Sequence, residues 1–194
     1  MPAWMPPWIT TAALVLTAVV LLSAYVSWRA GRLDRLHTRV ETAYAALDAA
    51  LVRRSAVVLE LAAAPALEPA SAVLLGDAAA RARRAHGAER AERELAESTL
   101  SRALRAVMAE PGLAEALGAH EAAEAAEAGG DDLVAEVESA AKRVMLARRF
   151  YNDAVAGIRE ARSGRLVRLL RLAGRAPMPE FFEMDDEPPV TAPP

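Results

Sequence analysis

Residues 39–62, RVETAYAALDAALVRRSAVVLELA, predict a long amphipathic helix. Apolar side chains recur in and around this stretch at close to the helical period of 3.6 residues. They are Leu33, Leu36, Val40, Tyr44, Leu47, Leu51 and Val58. A single helix cannot bury such a stripe, so partner helices are required. Alternating β-branched runs and Asn-Gly or Asp-Gly hairpin turns are absent from the sequence, and we therefore predict an all-α fold.

Upstream, the same helix is predicted to continue into a membrane span. Residues 9–26, ITTAALVLTAVVLLSAYV, carry no charge and have about the length that a bilayer core demands. Aromatic residues stand at both ends of this run, where their rings favour the headgroup region. A cleaved signal peptide is the alternative, but residues 1–8 contain no Lys or Arg and no A-x-A site precedes the first arginine. We predict an uncleaved transmembrane helix over residues 9–28 that contacts the lipid bilayer.

The charges that flank the span predict its orientation. Arg29, Arg32, Arg35 and Arg39 follow it, and no Lys or Arg precedes it. The positive-inside rule then places residues 1–8 outside the cell and residues 29–176 in the cytoplasm. Frequent alanine and arginine with a single lysine are typical of GC-rich bacterial genomes. The predicted location is therefore a bacterial cell membrane, crossed once.

Downstream, proline and glycine divide the body into helices. Pro65 and Pro69 end the first helix, and a second long helix is predicted over residues 71–110. Pro111-Gly112 ends it, a short acidic helix follows over residues 113–127, and Gly129-Gly130 ends that one. The last long helix begins near Asp131 and closes at Gly164. This pattern predicts an antiparallel, coiled-coil-like bundle of three long helices and one short helix.

The C-terminal part has two expected features. Residues 165–174, RLVRLLRLAG, predict a basic amphipathic segment that docks on the bundle or rests on anionic lipid. Residues 177–194 are acidic and rich in proline, and we predict that they form a disordered tail.

One segment of the last helix, ARRFYNDAV (residues 147–155), is unusually polar and aromatic. Asn is a poor residue for a helix interior, so contacts are expected to explain Asn152. Tyr151 is expected to enter the core with its hydroxyl satisfied at the edge. The segment is expected to meet the first body helix in a buried polar layer, which fixes the register of the bundle. The predicted layer consists of Asp48, Arg54, Arg148, Tyr151 and Asn152.

Composition and motifs argue against catalysis and cofactor binding. The chain has no cysteine, which excludes disulfides and thiolate chemistry. His37, His86 and His120 do not share any metal-binding spacing, and P-loop, dinucleotide and nucleophile-elbow patterns are absent. The net charge is −3, so nucleic acid is not expected as a partner. We predict no enzymatic activity, no cofactor and no metal.

Two stretches resemble the LemA family of bacterial membrane-anchored helical bundles. The first contains Arg39-Val40, Ala43-Tyr44, Leu47-Asp48 and Leu51-x-Arg53-Arg54. The second is residues 147–155, with Glu138 upstream. Glu180-Phe181-Phe182-Glu183 is similar to the aromatic and acidic ending of these proteins. The resemblance covers nearly the whole chain and implies a membrane-anchored bundle whose biochemical role is not established.

Two classes of function remain. The first is a non-catalytic scaffold or adaptor that recruits an unknown protein partner through the bundle surface or the acidic aromatic tail. The second is a receptor-like bundle that binds a small ligand or ion through the Asp48, Arg54, Arg148 and Asn152 layer. A ligand pocket requires a cavity lined by these four residues, whereas a scaffold leaves the layer closed. The sequence leaves the oligomeric state open.

Overall fold

The computed structural model describes residues 7–113, 117–118, 133–164 and 177–189. Within these residues the chain is helical and contains no strand, which confirms the predicted all-α fold. The helices are α1 (Pro7–Ala63), α2 (Pro69–Arg84), α3 (Arg90–Met108) and α4 (Leu133–Ser163).

Helix α1 is a single element of 57 residues, as the uninterrupted pattern of the sequence predicts. It ends at Ala63 because Pro65 forces the preceding residue out of helical geometry. Its N-terminal run is apolar and long enough to cross a membrane by length and composition, and none of that window is buried inside the protein. The side chains of this run are exposed in the protein, as the lipid-facing surface of a span would be.

The second predicted helix, residues 71–110, is corrected to two helices. Helix α2 begins at Pro69, and the Glu68 carboxylate caps it by accepting hydrogen bonds from the backbone N–H groups of Ala70 (2.9 Å) and Ser71 (3.0 Å). The chain then turns between α2 and α3 at Gly87, whose φ of 86° favours a residue without a side chain. His86-Gly87 therefore works as a helix break, although the surrounding arginines and glutamates favour helix.

The chain forms two compact units, and the boundary between them falls within α1 and within α4. The larger unit, residues 42–153 and 180–194, is a bundle in which consecutive helices alternate in direction. Ser71 on α2 donates a hydrogen bond to Glu110 beyond the end of α3, which makes α2 and α3 antiparallel. Helix α1 is antiparallel to α4, because the Tyr44 ring packs at a tilt against the Tyr151 ring while Arg53 pairs with Glu136.

The core of the larger unit is built from Leu and Val side chains with many alanines. Its buried members include Val57, Leu61, Leu75, Ala79, Leu100, Leu104, Met108, Val137 and Val144. Alanine on α2 keeps the helices close, and the larger side chains of α1 and α3 fill the space between them.

The smaller unit is residues 1–41 and 154–179. Leu33 is buried there against Leu36 and Ala161. Near the end of α4, Arg159 and Arg162 donate hydrogen bonds to the carbonyl groups of Pro179 (3.3 Å) and Pro177 (3.0 Å).

Other expectations fall partly or wholly outside the described residues. Of the short helix predicted over residues 113–127, residues 113, 117 and 118 are described and helical, and Leu113 and Leu117 are buried. The expected cap at Asp131 and the basic segment 165–174 lie outside the described residues. Helix α4 closes at Ser163, directly before Gly164, as predicted.

Candidate functional site

Asn152 binds the backbone of the C-terminal segment, residues 180–187. Its side-chain amide donates a hydrogen bond to the Phe182 carbonyl group (3.2 Å), and its carbonyl oxygen accepts one from the Phe182 N–H group (2.9 Å). The Asn152 side chain therefore hydrogen-bonds both the N–H and the C=O group of Phe182. This pairing explains an Asn in the middle of α4, where helix propensity alone disfavours it.

Phe182 is the apolar anchor of the segment. Its side chain is 1% exposed. Tyr151 directly precedes Asn152 and lies in the core, as predicted. Its hydroxyl donates a hydrogen bond to the Glu180 carbonyl group (2.8 Å). The Arg90 guanidinium carbon is 6.0 Å from the centre of the Tyr151 ring and 5.9 Å from that of Phe182, within the range of a cation–π contact. Arg90 of α3 therefore contacts both the Phe182 ring and Tyr151 of α4.

Two arginines bind the acidic end of the segment. Arg148 forms a two-pronged pair with Asp186, with distances of 2.7 Å from Nε and 2.9 Å from Nη2. Arg105 forms a second two-pronged pair with Asp185, in which Nη1 lies 2.7 Å from Oδ1. The hydrogen bonds from Arg105 hold the pKa of the Asp185 carboxyl below its ordinary value. Such forked geometry is directional and selects carboxylates.

Backbone groups of the segment are also bound from α3. The Glu183 N–H group donates to the Glu94 carboxylate (2.9 Å), and the Asp185 N–H group donates to the Ser98 hydroxyl (3.1 Å). The segment therefore lies between α3 and α4. We name this surface the tail groove; it consists of Arg90, Glu94, Ser98 and Arg105 of α3 and Arg148, Tyr151 and Asn152 of α4.

This arrangement corrects the prediction of a disordered tail for residues 177–189. The low apolar content of the segment favoured disorder, but one buried phenylalanine, two ion pairs and several backbone hydrogen bonds order it. Residues 190–194 lie outside the described chain. The signal in the sequence is the pair Phe181-Phe182 followed by carboxylates.

The predicted polar layer is also corrected, because its five residues do not form one layer in the described structure. Arg148, Tyr151 and Asn152 contact the C-terminal segment. Asp48 of α1 instead accepts a hydrogen bond from Arg93 of α3 (2.6 Å). Helix α3 therefore supplies the partners that sequence reasoning had assigned to α4.

Arg54 lies in a separate buried cluster. It donates to the Glu97 carboxylate (2.7 Å) and to the Ser101 hydroxyl (2.8 Å), and the Arg54 and Glu97 side chains are 2% and 3% exposed. Arg93 and Glu97 are both buried although they are charged. Their helical spacing to Leu100 and Leu104 was the signal that places them on the buried face of α3.

Two surface depressions lie in the part of the body that the structure describes. One is lined by Leu59, Ala80, Arg83 and Arg84, and another lies between α2 and α3 around Leu95. No residue of the predicted layer lines either depression.

We expect Asn152→Ala to weaken docking of the C-terminal segment by about 1 to 3 kcal/mol, the usual cost of stranding buried polar groups. Amide hydrogen exchange at Phe182 measures this loss. Asp153→Ala is the matched control, because Asp153 is exposed beside Asn152 and should leave exchange unchanged. Equal exchange at Phe182 in wild type and Asn152→Ala would contradict the clamp.

Docking should also depend on pH through Asp185. Hydrogen bonds from Arg105 lower the pKa of the docked carboxyl, whereas the undocked carboxyl has the ordinary pKa of a free Asp. The stabilisation is therefore complete above the undocked pKa and is lost as the pH falls through the docked pKa. Limited proteolysis of the segment with an acid-active protease should show release in this acidic window. Asp185→Asn should lack that step, and an identical pH profile for this variant would refute the assignment.

Comparison of the chain with models of protein families, with characterised proteins and with solved structures finds no match.

Proposed function

We propose that this protein is a non-catalytic scaffold or adaptor of the LemA type, anchored in a bacterial cell membrane by α1. Its N-terminus lies outside the cell and its helical body in the cytoplasm. The body recruits a protein partner through its surface. The resemblance of residues 39–54 and 147–155 to the LemA family supports this assignment.

One observation carries the proposal: the polar groups most suited to a ligand site contact the chain itself. Arg148 and Asn152 bind residues 182 and 186, Arg54 binds Glu97, and Asp48 binds Arg93. While these bonds are formed, the outer surface of the bundle is the part of the body that is open to a partner. That surface exposes apolar side chains of the kind that protein interfaces use, among them Val52, Val73, Leu74, Leu95 and Phe150.

The anchor and the arginines after it support the location. The apolar window of α1 is exposed in the protein, so lipid is the environment that would cover it. Arg29, Arg32, Arg35 and Arg39 follow at its cytoplasmic end.

Proximity labelling from the body of the full chain tests the adaptor function. We expect a reproducible set of neighbouring proteins that native pull-down from membranes also recovers. A chain lacking residues 1–28 should lose the membrane-bound members of that set. Labelling of the same proteins by an unrelated single-span protein would count against the proposal.

Protease protection tests the orientation. Protease added to intact spheroplasts should leave the body uncut and digest it only after permeabilisation. The matched variant exchanges the charges: Arg29→Gln and Arg32→Gln remove cytoplasmic charge, and Ala3→Arg and Pro6→Arg add it on the other side. In a fraction of the molecules, this variant should place the body outside the cell, where protease digests it in intact spheroplasts. Digestion of the wild-type body in intact spheroplasts would overturn the orientation.

A further inference from the structure

The tail groove binds the C-terminal segment as a receptor binds an extended peptide. The hydrogen bonds of Asn152, Tyr151, Glu94 and Ser98 reach backbone groups of the segment, and each has a groove side chain as one partner. Backbone groups are the same in every peptide, so these contacts fix the position and direction of a chain without selecting its sequence.

Selection comes from three other contacts. The buried site of Phe182 accepts one aromatic ring. Arg105 and Arg148 donate hydrogen bonds to the carboxylates that stand three and four residues after Phe182. The groove presents three arginines and one glutamate, and residues 180–187 carry five acidic side chains, so the charges of groove and segment are complementary.

We propose that the tail groove is a docking site for an acidic aromatic segment of a separate partner protein, which replaces the protein's own residues 180–187. The partner segment is extended, with one aromatic residue followed by carboxylates three and four positions later. This inference rests on the proposed adaptor function and names the chemistry of the partner that the adaptor takes.

The protein's own segment is then an intramolecular competitor. A tethered segment acts at an effective concentration on the order of millimolar. A partner binds only the fraction of molecules whose groove is open, so its apparent affinity falls by that fraction. The segment thereby keeps the groove closed to weak or non-specific peptides.

The test uses the full chain in detergent and a fluorescent peptide of residues 177–189 as the probe. Phe182→Ala in the protein weakens the internal competitor and leaves the groove residues intact. We expect this variant to bind the probe at least about tenfold more tightly than wild type does, because the groove is open more often. A probe of unrelated sequence that keeps only the aromatic residue and the two carboxylates at the same spacing should bind within about tenfold of the first probe.

Matched changes on each side assign the binding to the groove. Adding Asn152→Ala to the Phe182→Ala chain should reduce binding at least about tenfold, since the backbone clamp is lost. Probes with Ala for Phe182, or with Asn for Asp185 and Asp186, should bind as weakly. Should Phe182→Ala fail to fold by circular dichroism, Asp185→Asn with Asp186→Asn opens the groove instead and leaves the anchor ring unchanged.

Three results overturn the proposal. One is a folded, open-groove variant that binds neither probe. Another is binding that survives Asn152→Ala. The third is exchange of C-terminal segments between two copies, seen as dimers by native mass spectrometry without binding of free probe. Each result leaves the adaptor function intact, because proximity labelling tests that function whichever surface recruits the partner.

Discussion

Replacing Phe182 with alanine is expected to cost the docked C-terminal segment about 3 to 5 kcal/mol, the usual loss for a buried aromatic ring. The ring is 1% exposed, so its removal loses apolar burial and leaves a cavity that the bundle cannot fully close. The segment can detach while the helices remain folded, so the loss is limited by the free energy of docking. Urea unfolding measures the stability of the helices, and hydrogen exchange over residues 177–189 measures detachment of the segment.

Phe150→Ala is the matched control for this substitution. Phe150 lies directly before Tyr151 on α4, but its side chain is 61% exposed. The same chemical change there should alter stability by no more than about 0.5 kcal/mol. Equal effects of the two substitutions would show that the Phe182 ring does not anchor the segment.

Glu97→Ala is expected to destabilise the bundle by about 3 to 5 kcal/mol, because it leaves the Arg54 guanidinium buried without its counter-charge. Arg54 would keep hydrogen bonds to the Ser101 hydroxyl (2.8 Å) and the Glu97 carbonyl group (3.3 Å) only. Among the residues that the structure describes, its Nε atom is already buried without a hydrogen-bond partner. Urea unfolding followed by circular dichroism measures the loss.

Two further variants distinguish the cost of the unpaired buried charge from the effect of a Glu→Ala change on helix α3. Glu92→Ala makes the same change at an exposed position of α3 and should cost no more than about 0.5 kcal/mol. The double variant Arg54→Met with Glu97→Met replaces the pair by apolar chains and should recover most of the loss. A double variant as unstable as Glu97→Ala would mean that the pair contributes more than mutual charge compensation.

These two sites have different consequences for function. The Arg54–Glu97 pair joins α1 to α3 and contributes to the bundle that any surface function needs. Phe182 holds a segment that can leave while the bundle persists. Variants at Phe182 therefore change access to the tail groove, whereas variants at Glu97 change the stability of the body.

Much of the helical framework follows from local sequence. The stripe from Leu33 to Val58 and the uncharged run before it predict one long helix, because periodicity and length are local properties. Pro65 and Gly164 predict helix ends, because proline and glycine act on their own backbone. The break at His86-Gly87 was missed because the residues around it favour helix, and only the packing of α2 against α3 requires a turn there.

The partners of the polar residues were decided by tertiary structure alone. The sequence shows that Asp48, Arg54, Arg148 and Asn152 need partners, because charged and amide groups are costly to bury unpaired. It does not show which helix supplies them, since several helices offer a carboxylate or an arginine at suitable spacing. Alternation of four helices in the bundle brings α3 beside α1, so Arg93 and Glu97 meet Asp48 and Arg54.

The same holds for the end of the chain. By itself, the sequence of residues 177–189 is too polar to fold, and local reasoning predicts disorder. Only the packed pair α3 and α4 offers a buried site for Phe182, a clamp for its backbone and two arginines for the acids that follow. The sequence thus determined most of the helix ends and the long apolar run of α1, whose signals lie within one element, whereas tertiary structure decided the order of the C-terminal segment, whose stabilising contacts come from residues about 30 to 90 positions away along the chain.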